Sequence, residues 1–234
     1  MRFTALHAWD VTPAEARAVQ ADLAGRVLLT DAMSLDAIET IAGVDNAYIK
    51  EDGKTIACAV VVALAFPSHE VIETAVAWSP VTFPYVPGLL SFREAPAVLA
   101  ACAELNAEPD VVLFDAQGYA HPRRLGLASH LGLVLDRPAI GCAKSRLIGQ
   151  YEEPARVFGA HTPLVDGGEV VGAAVRTRPR HKPLFVSPGH KVSVETAVAI
   201  GLACCREGRF LPEPTRLAHE MVTRERRARM DATR

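Results

Sequence analysis

Residues 41–78, IAGVDNAYIKEDGKTIACAVVVALAFPSHEVIETAVAW, decide the fold class. The segment contains three runs rich in apolar and β-branched residues, which are Ile41–Ile49, Thr55–Ala65 and Val71–Trp78. They are separated by two sequences typical of turns, Glu51-Asp-Gly53 and Phe66-Pro-Ser-His69. The pattern therefore predicts an antiparallel meander of three strands.

Helical patterns and short apolar strands alternate outside this meander. Thr12-Pro-Ala-Glu15 fits a capping box with proline at the first helical position and predicts a helix to about Leu29. Ser91-x-x-Glu94 fits a second capping box and predicts a helix from Ser91 to about Asn106. The other predicted elements are strands at 111–114, 139–143, 170–175 and 184–186, and helices at 125–135, at 193–206 and from 215 onward.

This order of elements predicts an α/β fold, a mixed β-sheet flanked by helices. A chain of 234 residues suits one domain over 1–234, with an N-terminal helical segment (1–39) and a C-terminal helix (207–234) as parts of it.

Composition and charge exclude some classes of protein. The net charge of −2 excludes a globally basic polynucleotide binder, so any phosphate contact must come from local clusters. No apolar run resembles a signal peptide or approaches the roughly 20 residues that cross a bilayer, so we expect a cytoplasmic protein without a membrane partner. The five cysteines lack C-x-x-C spacing and predict reduced core residues.

Two aspartates stand at the ends of apolar strands. Asp45 interrupts an apolar run, and Asp115 directly follows Val111–Phe114. Ligands collect at the carboxyl ends of strands in α/β sheets, and hard cations such as Mg²⁺ take carboxylate ligands. Alone, each aspartate is a weak signal, and Asp45 could instead be a turn or edge residue that faces water. Glu94 could cap its helix, point beyond the helix end toward a cation, or do both.

Further candidates surround these carboxylates. Pro84-Tyr85-Val86-Pro87, called the wedge below, would present an aromatic ring on a stiff tip, unless Tyr85 packs on the core. Arg123 and Arg124 could bind phosphates or form a solvated charge run. Three more residues complete the candidate set: Lys144 at a strand end, Ser187 at another, and His219, whose helical position lies off the apolar face.

Taken together, several motifs in order along the chain resemble the endonuclease V family. They are Ala42-Gly-Val-Asp45, Pro84-Tyr-Val-Pro-Gly-Leu-Leu-Ser-Phe-Arg-Glu94, Asp115 with Gln117-Gly118, His121-Pro-Arg-Arg-Leu-Gly126, Ala128-Ser-His130, Gly141-x-Ala-Lys144, Ser187-Pro-Gly-His190 and Leu211-Pro-Glu-Pro-Thr-Arg216. The resemblance implies an RNase H-like fold and a DNA-repair endonuclease that recognises deoxyinosine. Such an enzyme cuts one nucleotide beyond the lesion on its 3′ side and leaves 3′-hydroxyl and 5′-phosphate ends.

The resemblance also implies roles for single residues. Asp45, Asp115 and Glu94 would bind Mg²⁺, for which Mn²⁺ could substitute, and Lys144 and His219 would complete the catalytic group. The wedge, Arg123 and Arg124 would contact DNA. The base pocket would include Gly88, Ala116, His121 and Ser187.

One departure from the family pattern concerns the base pocket. The family commonly has glycine directly after the second aspartate, where this chain has Ala116, whose methyl group could crowd a backbone that approaches the flipped base. Two alternatives to DNA repair remain open: an inosine-directed endoribonuclease, because the acidic site can attack either backbone, and a nucleic-acid-binding protein without catalysis. We expect a monomer that binds deoxyinosine DNA and, in the first alternative, inosine RNA.

Overall fold

The computed structural model describes residues 1–232 and contains one eight-stranded sheet with helices packed against it. The strands are β1 (Thr40–Glu51), β2 (Lys54–Ala65), β3 (Val71–Pro80), β4 (Val111–Phe114), β5 (Ala139–Ala143), β6 (His161–Asp166), β7 (Glu169–Val175) and β8 (Leu184–His190). The α-helices are α1 (Pro13–Ala24), α2 (Leu90–Glu104), α3 (Leu127–Leu135), α4 (Val194–Ala203) and α5 (Glu213–Ala232).

The strand order β3-β2-β1-β4-β5-β8-β7-β6 confirms a mixed sheet. β1, β2 and β3 form the predicted antiparallel meander. β4 and β5 continue the sheet parallel to β1, and β8, β7 and β6 extend it in antiparallel pairs. The carboxyl ends of β4 and β5 therefore lie beside the middle of β1, which continues to Glu51 in its pairing with β2.

The alternation of side chains along β2 divides the core into two layers. Odd-numbered residues from Ala57 to Ala63 pack in the layer that contains α2 and α3. Even-numbered residues from Cys58 to Leu64 pack in the layer that contains α4 and α5. Both faces of the central strands are covered, which explains why their sequences are apolar almost without interruption.

Two helix predictions need correction, the end of the first helix and the capping box of the second. The capping box at Thr12 is present, but α1 ends at Ala24 rather than near Leu29, because Gly25 is a poor helix former and caps the helix. The prediction of a capping box at Ser91 is wrong. α2 begins one residue earlier, after Leu89, without a side-chain cap, and the buried Ser91 hydroxyl instead bonds to His130.

Other boundaries also differ from the predictions: α3 begins at Leu127 rather than 125, and α4 ends at Ala203 rather than 206. β6 lies in a stretch that the sequence indicates only as loop, and β8 continues to His190 rather than ending at Val186. α5 begins at Glu213, before Pro214, because proline is compatible with the first turn of a helix. The predicted C-terminal helix is present through Ala232; its last two residues, 233 and 234, lie outside the described part of the chain.

All five cysteines are free, four of them buried and Cys205 half-buried, which confirms reduced core positions. Among the helices of residues 1–232, none combines the length and the apolar character needed to cross a membrane.

Candidate metal centre and adjoining cavity

The parallel pairing of β1 with β4 brings the two predicted aspartates together. Val44 pairs with Phe114 in the register, so Asp45 and Asp115 are the next residue on each strand. The Asp115 amide donates a hydrogen bond of 3.1 Å to the Val44 carbonyl, which continues the pairing by one residue. The two aspartates therefore lie side by side where the pairing of β1 with β4 ends, Asp115 just after β4 and Asp45 within β1 rather than at its end.

The C-terminal helix supplies a third group at this place. α5 packs on β1 at Gly43, where a side chain would collide with the backbone of Pro214. This close contact places His219, on the second turn of α5, with its Nδ1 atom 2.7 Å from an Asp45 carboxylate oxygen. Ligand atoms of Asp45, Asp115 and His219 all lie within 4.8 Å of one another.

The charges around this group suit a bound cation. Burial is the main cause that raises the pKa of Asp45, and the negative charge of Asp115 adds to it, whereas His219, the Asn46 amide and Lys144 act in the opposite direction. Two carboxylates and an imidazole are ligands that a divalent cation accepts, and a cation would offset the repulsion between the carboxylates. The residues present therefore fit a metal ion.

Lys144 directly follows β5, the third parallel strand, and its Nζ atom forms an ion pair with Asp115. The lysine side chain remains about one-third exposed, whereas Asp115 is almost fully buried. An ammonium group thus lies at the border between the acidic group and solvent.

Glu94 lies close to this group but is not one of its three members. Its carboxylate accepts a 2.9 Å hydrogen bond from the Tyr48 hydroxyl and one of 3.3 Å from the Asn46 side-chain amide. Burial, together with the charges of Asp45 and Asp115, raises the pKa of Glu94 to about 7. Its partners hold the carboxyl group beside the aspartates, where it lies within electrostatic reach of a cation.

A cavity of about 460 Å³ opens beside the metal centre. Its lining includes the wedge, Asp115, Lys144 and residues 145–147. Tyr85 is 75% exposed at the rim, so its ring is presented to solvent rather than packed on the core. A flat apolar group at the mouth of a cavity can replace an extruded base in a stack.

The residues expected in the base pocket divide into two groups. Gly88, Ala116 and His121 belong to the cavity lining. Ser187 does not; it is fully buried, and its hydroxyl accepts a 2.9 Å hydrogen bond from the Gly118 amide. Ser187 therefore supports the loop that follows β4 instead of facing a base.

The two arginines expected at the DNA are occupied by contacts within the protein. Arg124 binds Asp166 at 2.9 Å and Glu169 at 2.8 Å on the β6–β7 hairpin. Arg123 points its guanidinium toward the end of the wedge, where it donates to the Gly88 carbonyl at 2.7 Å. Both arginines hold surrounding loops in position.

Sequence reasoning missed several residues at the site. Asn46 and Tyr48 were readable in principle, because alternation along β1 places both on the side that packs against α2 and Glu94. Gln20, on α1, lines the cavity although it lies far from every motif, and no local pattern indicates it.

Comparisons with known proteins agree on one family. A family model described as endonuclease V matches residues 21–220. An endonuclease V of Roseiflexus is 52% identical over 218 residues, which are 93% of this chain and 95% of that protein.

Solved structures also match nearly the whole chain. The endonuclease V of Bacillus subtilis superimposes with a TM-score of 0.95 at 33% identity, covering 99% of this chain and 100% of the other, which supports the RNase H-like fold. The endonuclease V of Ciona intestinalis, solved with a 24mer DNA containing an inosine followed by a ribo-adenosine, has a TM-score of 0.80 at 28% identity. That match covers 92% of this chain and 97% of the other.

Proposed function

The chain belongs to the endonuclease V family, and from this membership we propose that it is a Mg²⁺-dependent DNA-repair endonuclease that cuts beside deoxyinosine. The observation that carries the proposal is that a possible metal site lies directly beside a cavity. Asp45, Asp115 and His219 converge on one point, and the adjoining cavity has Asp115 in its wall and Tyr85 at its rim. A phosphodiester can thus reach the acidic group while a neighbouring base enters the cavity.

Asp45, Asp115 and His219 would hold the metal, and the nearby carboxylate of Glu94 would add negative charge to the site. When bound, Mg²⁺ would polarise the scissile phosphate, lower the pKa of water and stabilise the leaving oxygen. Mn²⁺ offers similar ligand preferences and is expected to substitute for Mg²⁺.

The protein's own groups supply the rest of the chemistry. The exposed part of Lys144 places a positive charge where negative charge develops on the phosphate during in-line attack. Tyr85 fills the gap in the stack after the hypoxanthine has rotated out, and Gly88, Ala116 and His121 border the space that receives it. Membership of the family implies that the cut falls one nucleotide beyond the lesion on its 3′ side.

The direct test is incubation of the purified protein with Mg²⁺ and a duplex containing one deoxyinosine, beside an undamaged duplex. Incision of the inosine strand alone, with 3′-hydroxyl and 5′-phosphate ends, is the expected result. Equal cutting of both duplexes, or none with either Mg²⁺ or Mn²⁺, would reject the proposal.

A pair of variants isolates the metal role. Asp45→Ala should abolish incision while leaving most of the binding to inosine DNA, because binding draws on the cavity and the wedge as well. Asp36→Asn changes an exposed aspartate and serves as the control, with unchanged activity. Turnover retained by Asp45→Ala would reject the assignment of this ligand.

One observation favours a second candidate, an inosine-directed endoribonuclease. The Ciona relative was solved with a strand in which a ribonucleotide follows the inosine. Competition between inosine DNA and inosine RNA of the same sequence decides between the two substrates. Binding of either strand without any turnover would instead indicate a nucleic-acid-binding protein without catalysis.

A further inference from the structure

Three side chains from two separate parts of the chain bind one carbonyl at the end of the wedge. The Gly88 carbonyl oxygen lies 3.0 Å from Gln20 Nε2, 3.0 Å from His121 Nε2 and 2.7 Å from an Arg123 guanidinium nitrogen. Gln20 belongs to α1, whereas His121 and Arg123 belong to the loop between β4 and α3. Within the wedge, Val86 packs against an apolar cluster that includes Phe83 and Phe92, whereas Tyr85 is 75% exposed.

We propose that Gln20 is a positioning residue that, with Arg123 and His121, anchors the Gly88 carbonyl and thereby sets where the wedge stands over the cavity. The inference rests on the proposed function, since it assigns a task in the opening of an inosine base pair. It gives α1 a role in lesion recognition although α1 contributes no group to the metal centre.

Two of the three hydrogen bonds that the Gln20 side chain makes go to members of the anchor, and the third goes to Leu125. It is 1% exposed, and its Nε2 atom donates to the carbonyls of Gly88 and Leu125, both at 3.0 Å. Its Oε1 atom accepts from Arg123 Nε at 2.5 Å. Two donors and one acceptor fix the orientation of the amide, so the side chain cannot rotate without leaving buried groups unpaired.

The imidazole of His121 has only one tautomer that fits the anchor. A carbonyl oxygen can only accept, so Nε2 carries the hydrogen toward Gly88, and Nδ1 accepts from the Arg123 amide at 3.2 Å. Burial, followed by the charge of Arg123, lowers the pKa of His121 to about 4. The ring is therefore neutral at physiological pH and keeps this arrangement.

Gly88 is required by the same contacts. Its φ of +78° lies in the left-handed region, and a Cβ atom there would be 2.8 Å from the Arg123 guanidinium. A larger residue would therefore be strained at this φ and would displace the Arg123 guanidinium from the anchor. The anchor thus acts on the backbone immediately after Pro87, at the point where the wedge joins α2.

An anchor for the wedge matters when a base pair must be opened, and much less when the base is already unpaired. This difference separates positioning from general support of the fold. We therefore compare two substrates under single-turnover conditions with Mg²⁺: a fully paired duplex containing deoxyinosine, and the same strand with its inosine in an unpaired bulge.

Gln20→Met keeps the size of the side chain and removes its donors and acceptor. It should lower the incision rate on the paired duplex about tenfold, as expected from the loss of one or two buried hydrogen bonds, and change the rate on the bulge less than about twofold. Gln20→Glu, which keeps the shape and the acceptor but loses both donors, should likewise slow incision of the paired duplex and leave incision of the bulge nearly unchanged. Asp22→Asn, an exposed change on the same helix, should leave both rates unchanged.

A fluorescence measurement reports the wedge directly. In EDTA, the wild-type protein should raise the emission of a 2-aminopurine placed beside the inosine of the paired duplex, because neighbouring bases unstack. Gln20→Met should raise it less at saturating protein. If Gln20→Met does not fold, Arg123→Lys, which keeps the charge but loses the paired contacts with Gln20 and Gly88, carries the same test.

Equal losses on both substrates, or no loss on either, would overturn the inference while leaving the proposed function intact. Failure of the wild-type protein to cut either substrate would instead reject the proposed function itself.

Discussion

Substitution of Gly43 by alanine tests how closely the metal centre depends on the contact between α5 and β1. The added Cβ atom would lie 2.0 Å from the Pro214 carbonyl oxygen, 2.1 Å from its carbon and 2.7 Å from the Thr215 nitrogen. All three are backbone atoms in the first turn of α5, so no side-chain rotation can relieve the collision. The helix must move away from the sheet.

The size of that movement follows from the geometry. A separation of 3.0 Å is the closest that Cβ atoms normally show, so Pro214 must retreat by about 1 Å. His219 lies on the next turn of the same helix, and an equal shift would lengthen its 2.7 Å contact with Asp45 beyond hydrogen-bonding distance. We expect half-saturating Mg²⁺ to rise about tenfold, and incision at low Mg²⁺ to fall about 10- to 100-fold. Overpacking should also cost about 1–3 kcal/mol of stability.

The assay is a Mg²⁺ titration of incision on an inosine duplex, with the free energy of unfolding measured on the same sample. Gly201→Ala is the matched control, because its Cβ would lie 3.7 Å from a Val186 methyl group, an ordinary contact. This control should keep wild-type Mg²⁺ dependence and gain about 0.5–1 kcal/mol, since alanine favours a helix interior. Wild-type Mg²⁺ dependence in a folded Gly43→Ala protein would refute the reasoning.

Three further outcomes are expected. Tyr85→Ala should reduce incision of a paired inosine duplex while leaving the melting temperature within about 1 °C of wild type, because the ring is 75% exposed; an equal drop on unpaired inosine would contradict this. Lys144→Met should lower kcat without weakening the apparent affinity for Mg²⁺, since removal of the ammonium leaves Asp115 more available to the cation, and a Mg²⁺ titration checks both values. Burial, together with His7, lowers the pKa of His130 to about 3 from 6.5, so the unfolded chain takes up a proton first as the pH falls through 6.5. Urea unfolding should therefore show about 2 kcal/mol less stability from this group at pH 5 than at pH 7.5, and a His130→Asn variant that keeps the full pH dependence would contradict this.

Local patterns predicted the central part of the fold well. The meander can be predicted because turn sequences separate its three apolar runs. β2 is apolar throughout because its side chains pack in both layers of the core. β6 escaped prediction because it carries Pro163 and polar residues, which an edge strand tolerates and a central strand does not. The capping box at Ser91 failed because its hydroxyl bonds to His130, 39 residues away.

The candidate site likewise contains residues that local sequence patterns indicate and residues whose partners lie far away along the chain. Asp115 was predictable at the carboxyl end of β4, whereas Asp45 lies within β1 rather than at its end and is beside Asp115 because the parallel pairing of the two strands stops at Val44 and Phe114. His219 carries only the local signal that it lies off the apolar face, and its contact with Asp45 spans 174 positions. Gln20 gives no signal at all, because a glutamine on a helix ordinarily faces solvent and its partners become visible only in three dimensions.

The contribution of His219 has a consequence for the protein during its synthesis. Asp45 and Asp115 are translated early, but the helix that carries the imidazole begins only at Glu213. A chain that stops before α5 contains both aspartates but lacks one of the three converging groups. If these groups hold the metal as proposed, such a truncated product cannot complete the metal centre.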